Sequence, residues 1–239
     1  MTRPPEQGLQ AWQWIVHLPE FELDVRTAAL VVIDLTYQQA SPDYGICKRA
    51  IEAGFRDDLD YYLTRLEQTV VPSVQRLTEA FRRHSAPVFY TRCVSLRGDG
   101  SDQTWRHRSF GLACALGDED SEFLAEIAPQ PGDIVLNKTG SSVFNGTHFE
   151  HLLRNLGVSY LVVAGIFTNS CVEGTIRDAG DRDFRVLMAE DACAAMSRVG
   201  HDNAIGYLDK NFCHVKPVDE IVAELEASAA RTSELLVTY

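Results

Sequence analysis

The chain is 239 residues long, 45% hydrophobic and 23% charged, which suits a soluble globular protein able to bury a core of its own. Its formal net charge of -12 leaves no broad basic face, so neither nucleic acid nor an anionic membrane is expected as a partner. No apolar run approaches the roughly 18 residues of a membrane span, and the six cysteines (47, 93, 114, 171, 193 and 213) include no CxxC pair; with no basic-then-apolar leader after Met1, reduced thiols in a cytoplasmic protein are expected.

Residues 1–27 read as an irregular N-terminal arm whose Trp12 and Trp14, with Ile15 and Val16, pack on the body or on a neighbouring subunit. Leu30-Val31-Val32-Ile33 is an apolar run ending at Asp34, the pattern of a strand buried on both faces of a parallel sheet. Thr36 to Gly45 reads as a loop, with Ser41-Pro42-Asp43-Tyr44-Gly45 supplying turn chemistry. Between Leu59 and His84, the residues Leu63, Leu66, Val70, Val74, Leu77 and Phe81 recur at helical spacing. Pro72 falls near a break or in the first turn of a second segment. Ala86 to Thr91 is the second strand. Arg92 to Phe110 is a polar excursion of a length that is usually functional or mobile. Glu119 to Ile127 reads as a short helix or a partly ordered turn. Ile134-Val135-Leu136 is the third strand, running into Asn137 and Lys138. Thr147 with Glu150 predicts a capping box for a helix that ends at Leu156, with Gly157 as its stop.

Tyr160 to Ala164 is the fourth strand. It feeds Gly165 and a polar turn, and Cys171 then opens a helix from Val172 to Arg182. Phe184 to Met188 is the fifth strand, ending near Glu190 and Asp191. A helical segment follows around Asp202 to Leu208, then a short strand at Cys213-His214-Val215, and a terminal helix from Val218 to Ala230. Residues 231–239 read as a tail. The alternation predicts an α/β fold, one doubly wound sheet of about six mainly parallel strands with helices on both faces. Residues 28–230 form this single domain.

In such sheets the ligand crevice lies beyond the carboxyl ends of the strands. Asp34, Lys138 and Cys171 each sit at such an end. A cysteine at a strand-to-helix turn meets unpaired N–H groups and the positive end of the helix dipole, and both favour the thiolate, which is the nucleophile. Taken by itself, the same residue also reads as a small buried hydrophobe. Asp34 also reads as a turn or cap residue, and Lys138 as a surface lysine. Together, however, they supply what a thiol nucleophile needs: a base to take its proton and a cation to hold the anion.

The segments Leu30 to Asp34, Asn137-Lys138-Thr139-Gly140-Ser141-Ser142-Val143-Phe144, and Gly165 to Ala179 resemble, in order and spacing, the isochorismatase-like cysteine hydrolases. That superfamily includes nicotinamidases and N-carbamoylsarcosine, biuret and ureidoacrylate hydrolases. The resemblance implies a catalytic triad of Asp34, Lys138 and Cys171, and an oxyanion hole made by the backbone N–H groups of Phe167 and Cys171. It implies a cis peptide between Ile166 and Phe167. It also implies a small-molecule amide or ureido substrate cleaved through a thioester with release of ammonia, and a homodimer or homotetramer, for which the Trp-containing arm is the candidate contributor to the contact.

Cys171 argues against isochorismatases proper, which generally lack the nucleophile. No His lies between Val25 and His84 to match the nicotinamidase metal site, and His107, His148 and His151 lack its spacing, so no metal and no cofactor are expected. Thr36 stands where many relatives carry Gln, with Gln38 and Gln39 following. The stretches Ala40 to Tyr44 and Asp209 to Phe212 look like the N-carbamoylsarcosine and maleamate branch; biuret-, ureidoacrylate- and nicotinamide-type hydrolases are the alternatives. Gln39, Arg92, Arg106, Phe144 and Tyr207 are the candidate substrate-binding residues. Arg92, Arg97, Arg106 and Arg108 can pair with a substrate carboxylate, or be a solvated cluster balanced by Asp99 and Asp102. Two other classes remain open: a silent binding protein that kept the fold, and a redox protein in which Cys193 resolves Cys171.

Overall fold

The computed structural model describes residues 15–111 and 113–237; Trp12 and Trp14 of the arm lie outside the described residues. Six strands form one sheet in the order β3-β2-β1-β4-β5-β6. They are β1 (Ala28–Ile33), β2 (Val88–Cys93), β3 (Ile134–Lys138), β4 (Tyr160–Ile166), β5 (Arg185–Ala194) and β6 (His214–Lys216). Every neighbouring pair is parallel. The helices in chain order are α1 (Tyr37–Ala40), α2 (Gly45–Glu52), α3 (Asp60–Arg65), α4 (Val71–Arg83), α5 (Trp105–Ser109), α6 (Phe149–Asn155), α7 (Glu173–Gly180), α8 (Arg198–Leu208) and α9 (Val218–Val237).

The period-2 alternation of β1 shows how the two faces divide. Ala28, Leu30 and Val32 pack with Val74, Leu77 and Phe81 of α4 and with Ile221 and Leu225 of α9. Ala29, Val31 and Ile33 pack on the other face with Phe149 and Leu153 of α6 and Ile176 and Ala179 of α7. A strand with helices on both sides has no solvent face, which is why its sequence is apolar throughout. From β1 the chain builds outward to β2 and β3, and from β4 it builds the opposite way to β5 and β6. The reversal between β1 and β4 is a topological switch point, where a crevice opens beyond the strand ends. Gly165 makes that junction possible. It has φ 116°, and a Cβ there would lie 2.1 Å from the Ile33 carbonyl oxygen.

Several elements differ from the sequence expectation. The segment after Asp34 is not a plain loop: it holds the single turn α1 and the helix α2. The long helix does change at Pro72. A π-type turn over Leu66–Val70 joins α3 to α4, with Pro72 in the first turn of α4, where its missing N–H disrupts least. Thr147 forms no capping box. Helix α6 begins at Phe149, and Glu150 instead bonds Arg154 and Arg182; Gly157, with φ 69°, does follow its end. Strand β5 runs past Glu190 and Asp191, because Arg65 pairs with the first and the Val218 N–H donates to the second. The terminal helix continues to Val237. The described part of the arm is joined to the body: Leu23 and Val25 are buried, and the Leu18 N–H donates to the Lys210 carbonyl.

Candidate active site

Asp34 leaves β1 with φ 57°, a left-handed conformation that Asp tolerates better than most residues. Its N–H donates to the Thr91 carbonyl on β2 at 2.9 Å, and its Oδ1 accepts from Thr91 Oγ1 at 3.0 Å. Lys138 closes β3, with β2 between it and β1. Its long side chain crosses the carboxyl end of β2, and Nζ donates to Asp34 Oδ2 at 2.6 Å and to the Gly140 carbonyl at 3.0 Å. The same Nζ lies 3.5 Å from Cys171 Sγ. The side chains of Asp34 and Lys138 are fully buried. Three residues that lie far apart in the chain therefore meet at one point behind the switch crevice.

Cys171 sits in a π-type turn over Thr168–Val172 that precedes α7. The Phe167 carbonyl accepts from the N–H groups of Ser170 and Val172, and the Ile166–Phe167 peptide is cis. All six cysteines are buried free thiols.

The electrostatics differ from the expectation of a ready thiolate. Burial pushes the Cys171 thiol up to about 11, with Lys138 opposing and Asp34 adding to the rise. Desolvation of the sulfur outweighs the pull of the turn. Burial also works against the charge on Lys138, yet the Asp34 carboxylate, then Cys171 and Cys93, hold it above the ordinary lysine value. The resting arrangement is thus a carboxylate, an ammonium and a neutral thiol, with no net charge. Moving the Cys171 proton to Asp34 keeps the total at zero and exchanges one ion pair for another. Losing it to solvent would leave an uncompensated buried charge.

Cys171 opens onto a cavity of about 270 Å³ lined by Gln39, Cys93, Arg106, His107, Phe110, Phe167, Asn169, Ser170 and Met196. That volume suits a ligand smaller than a drug. A larger cleft of about 590 Å³ lies at the opposite, amino-terminal edge of the sheet, beside Tyr160 and Arg185. It contains none of the three clustered groups, so size does not decide between them.

Gln39, Arg106 and Phe167 reach the cavity; three other candidates do not. Arg92 is tied to Asn137, Glu122 and the Ser121 carbonyl. Phe144 is buried in the apolar cluster against Phe149 and Phe184. Tyr207 is exposed on α8 and does not line it. Arg106 donates to Ser141 Oγ and Ser170 Oγ and lies over the Phe110 ring, and no carboxylate among the described residues pairs with it.

His107 was not singled out from sequence as a cavity residue. It is placed there because Thr104 caps α5, accepting from the His107 N–H and bonding His107 Nδ1 at 2.7 Å. Burial, reinforced by Lys138 and Arg106, holds this imidazole below the usual histidine value. The cap Thr104 ahead of Trp105-Arg106-His107-Arg108 was the signal that could have found it. Cys93 was missed because β2 extends beyond Thr91.

A family model for the isochorismatase domain matches residues 28–220. The chain is 30% identical to ureidoacrylate amidohydrolase RutB of Variovorax paradoxus over 244 residues, which covers 95% of this chain and 93% of that protein. Among solved structures, a cysteine hydrolase from Pseudomonas syringae pv. phaseolicola has a TM-score of 0.75 at 25% identity, over 87% of this chain and 97% of its own. N-carbamoylsarcosine amidase from Thermoplasma acidophilum has a TM-score of 0.61 at 29% identity, over 81% and 97%.

Proposed function

Because the chain belongs to the isochorismatase family of hydrolases, we propose that it is a cysteine amidohydrolase that releases ammonia from a small amide or ureido compound carrying a carboxylate. The observation that carries this reading is Lys138 Nζ, 2.6 Å from Asp34 and 3.5 Å from a cavity-lining Cys171.

Asp34 accepts the Cys171 proton as the thiolate attacks the carbonyl carbon, and Lys138 exchanges its carboxylate partner for the sulfur. The backbone N–H groups of Phe167 and Cys171 hold the tetrahedral oxyanion. Protonated Asp34 gives its proton to the leaving nitrogen, the C–N bond breaks, and ammonia departs from a thioester. Asp34 then takes a proton from water as it attacks. The C–S bond breaks, and the thiol is restored beside the product acid. One carboxylate serves as base and acid in turn.

Arg106 supports an anionic substrate, since it is a cavity cation with no carboxylate partner among the described residues, in a chain of net charge -12. Gln39 and Asn169 offer amides to the remaining polar atoms. The test is an ammonia-release screen of carbamoyl amino acids, maleamate and ureidoacrylate against neutral biuret and nicotinamide. Turnover is expected for the carboxylates. Arg106→Met should raise their KM by about 10–100-fold, the scale of a lost charge-assisted contact. A preference for neutral amides that Arg106→Met leaves unchanged refutes the anionic assignment.

A further inference from the structure

Outside the Asp34–Lys138–Cys171 cluster, the most heavily bonded polar group near the cavity is a chain of four side chains that the mechanism does not use. Thr168 directly follows the cis peptide and is three residues before Cys171. It is fully buried, and its Oγ1 lies 2.8 Å from His201 Nδ1. His201, on α8, is 1% exposed. Its Nε2 lies 2.9 Å from Arg65 Nη2 and 3.2 Å from Glu190 Oε1. Arg65, at the end of α3, also donates to the backbone of β5, through Nε to the Cys193 carbonyl at 2.9 Å and through Nη2 to the Glu190 carbonyl at 2.9 Å.

A guanidinium has donors only. His201 Nε2 faces both that guanidinium and the Glu190 carboxylate, which only accepts, so the ring is held between the two while Nδ1 bonds Thr168 Oγ1. A second contact brings α8 against the same turn: a Cβ on Gly200 would lie 3.1 Å from Asn169 Nδ2. Asn169 is the one residue of the turn with non-helical angles, φ -88° and ψ 21°. The turn is thus fixed from below by α8, which is in turn fixed to α3 and to β5.

We infer that His201 and Thr168 are positioning residues for the nucleophile: the bond between His201 Nδ1 and Thr168 Oγ1 fixes the turn that aims Cys171, and Arg65 and Glu190 fix the imidazole orientation that this bond requires. The inference rests on the proposed role of Cys171. Neither residue lines the cavity, so their effect falls on the chemical step and not on substrate binding. A displacement of the nucleophile by about 1 Å is enough to cost on the order of 100-fold in rate.

The experiment measures kcat and KM on the best carboxylate substrate of the screen, together with the rate of Cys171 alkylation by iodoacetamide. Thr168→Val removes the hydroxyl and keeps the shape, and Thr168→Ser keeps the hydroxyl. Thr168→Val is expected to lower kcat by about 10–100-fold with KM changed by less than about twofold, and to change the alkylation rate. Thr168→Ser is expected to recover most of the kcat. The double variant Thr168→Val/His201→Leu is expected to lose no more than Thr168→Val alone, because the two residues act through one bond. A Thr168→Val enzyme within about twofold of the parent in kcat, a Thr168→Ser enzyme as impaired as Thr168→Val, or losses that multiply in the double variant would each overturn the inference. If Thr168→Val does not fold, His201→Asn, which keeps a hydrogen-bonding amide, is compared with His201→Leu by the same criteria. Cys171→Ser in the same assay separates the two levels. Turnover retained there removes the nucleophile and the positioning role together. A silent Cys171→Ser beside a fully active Thr168→Val removes only the positioning role.

Discussion

Two buried thiols on adjoining parts of the sheet have opposite prospects. Cys171 follows β4, and Cys193 lies within β5, opposite Gly165. Both are buried, and burial raises both, Cys171 to about 11 and Cys193 to about 12. Acidity therefore does not separate them. Their neighbours do. Cys193 Sγ has a long contact to the Val163 carbonyl, 3.9 Å away, and a backbone hydrogen bond from Gly165. The Arg65 and Glu190 charges act on it without a side-chain hydrogen bond to its sulfur among the described residues, whereas Cys171 has Lys138 of the Lys138–Asp34 pair 3.5 Å from its sulfur. A thiol of high pKa reacts if its proton has an internal acceptor and its charge an internal counterion, because the transfer then creates no net buried charge. Without that pair it is simply a small core residue.

The largest expected effect tests this directly. Cys171→Ala should reduce ammonia release to below about a thousandth of the parent value, while Cys193→Ala should stay within about twofold. Loss of turnover in both variants would mean that the comparison rests on packing and not on chemistry. The next effect comes from making the surroundings of Cys171 resemble those of Cys193. Lys138→Met leaves Asp34 charged and buried without its partner, which should cost about 3–5 kcal/mol in urea unfolding. Adding Asp34→Asn to that variant should restore part of the loss, since the orphaned charge is then gone. A double variant less stable than the sum of the singles contradicts the account of the pair.

What the sequence revealed of this comparison follows from where each interaction is written. Asp34 and Lys138 are legible because each ends an apolar run, and the ends of parallel strands share one edge of the sheet. The true end of β5 was not legible: Glu190 and Asp191 look like a strand terminus until Arg65 and the Val218 N–H are seen to satisfy them. Arg92 looked like a substrate ligand for the same reason in reverse, since its partners Asn137 and Glu122 come from distant segments. The protonation of Cys171 was misjudged because a turn and a helix start are local, whereas desolvation is imposed by the whole fold.

A smaller effect separates the thiols by access. With a pKa of about 11, Cys171 of the resting enzyme is thiolate at only about one part in 10⁴ at pH 7. Its alkylation by iodoacetamide, followed by mass spectrometry, should therefore rise about tenfold per pH unit from pH 7 toward 10. Cys193 should stay unlabelled until the protein unfolds. A pH-independent rate at Cys171 would show a preformed thiolate, and the charge-neutral transfer to Asp34 would no longer be needed.

The smallest effect belongs to Cys193 alone and appears as stability. Its thiol is raised from an ordinary 9.0 to about 12, so between those values the unfolded chain has released the proton and the native protein still holds it. The native state then binds more protons than the unfolded state, and stability must fall as pH rises. The contribution is intact below pH 9 and is lost progressively toward pH 12. The other buried thiols slope the same way, so the parent curve alone does not identify one residue. The difference between parent and Cys193→Ala does. Between pH 8 and 10 the variant should lose less stability than the parent by about 1.4 kcal/mol, the equivalent of one full pK unit. Equal slopes would mean that Cys193 ionises in the native protein, and burial would then not be what keeps it inert.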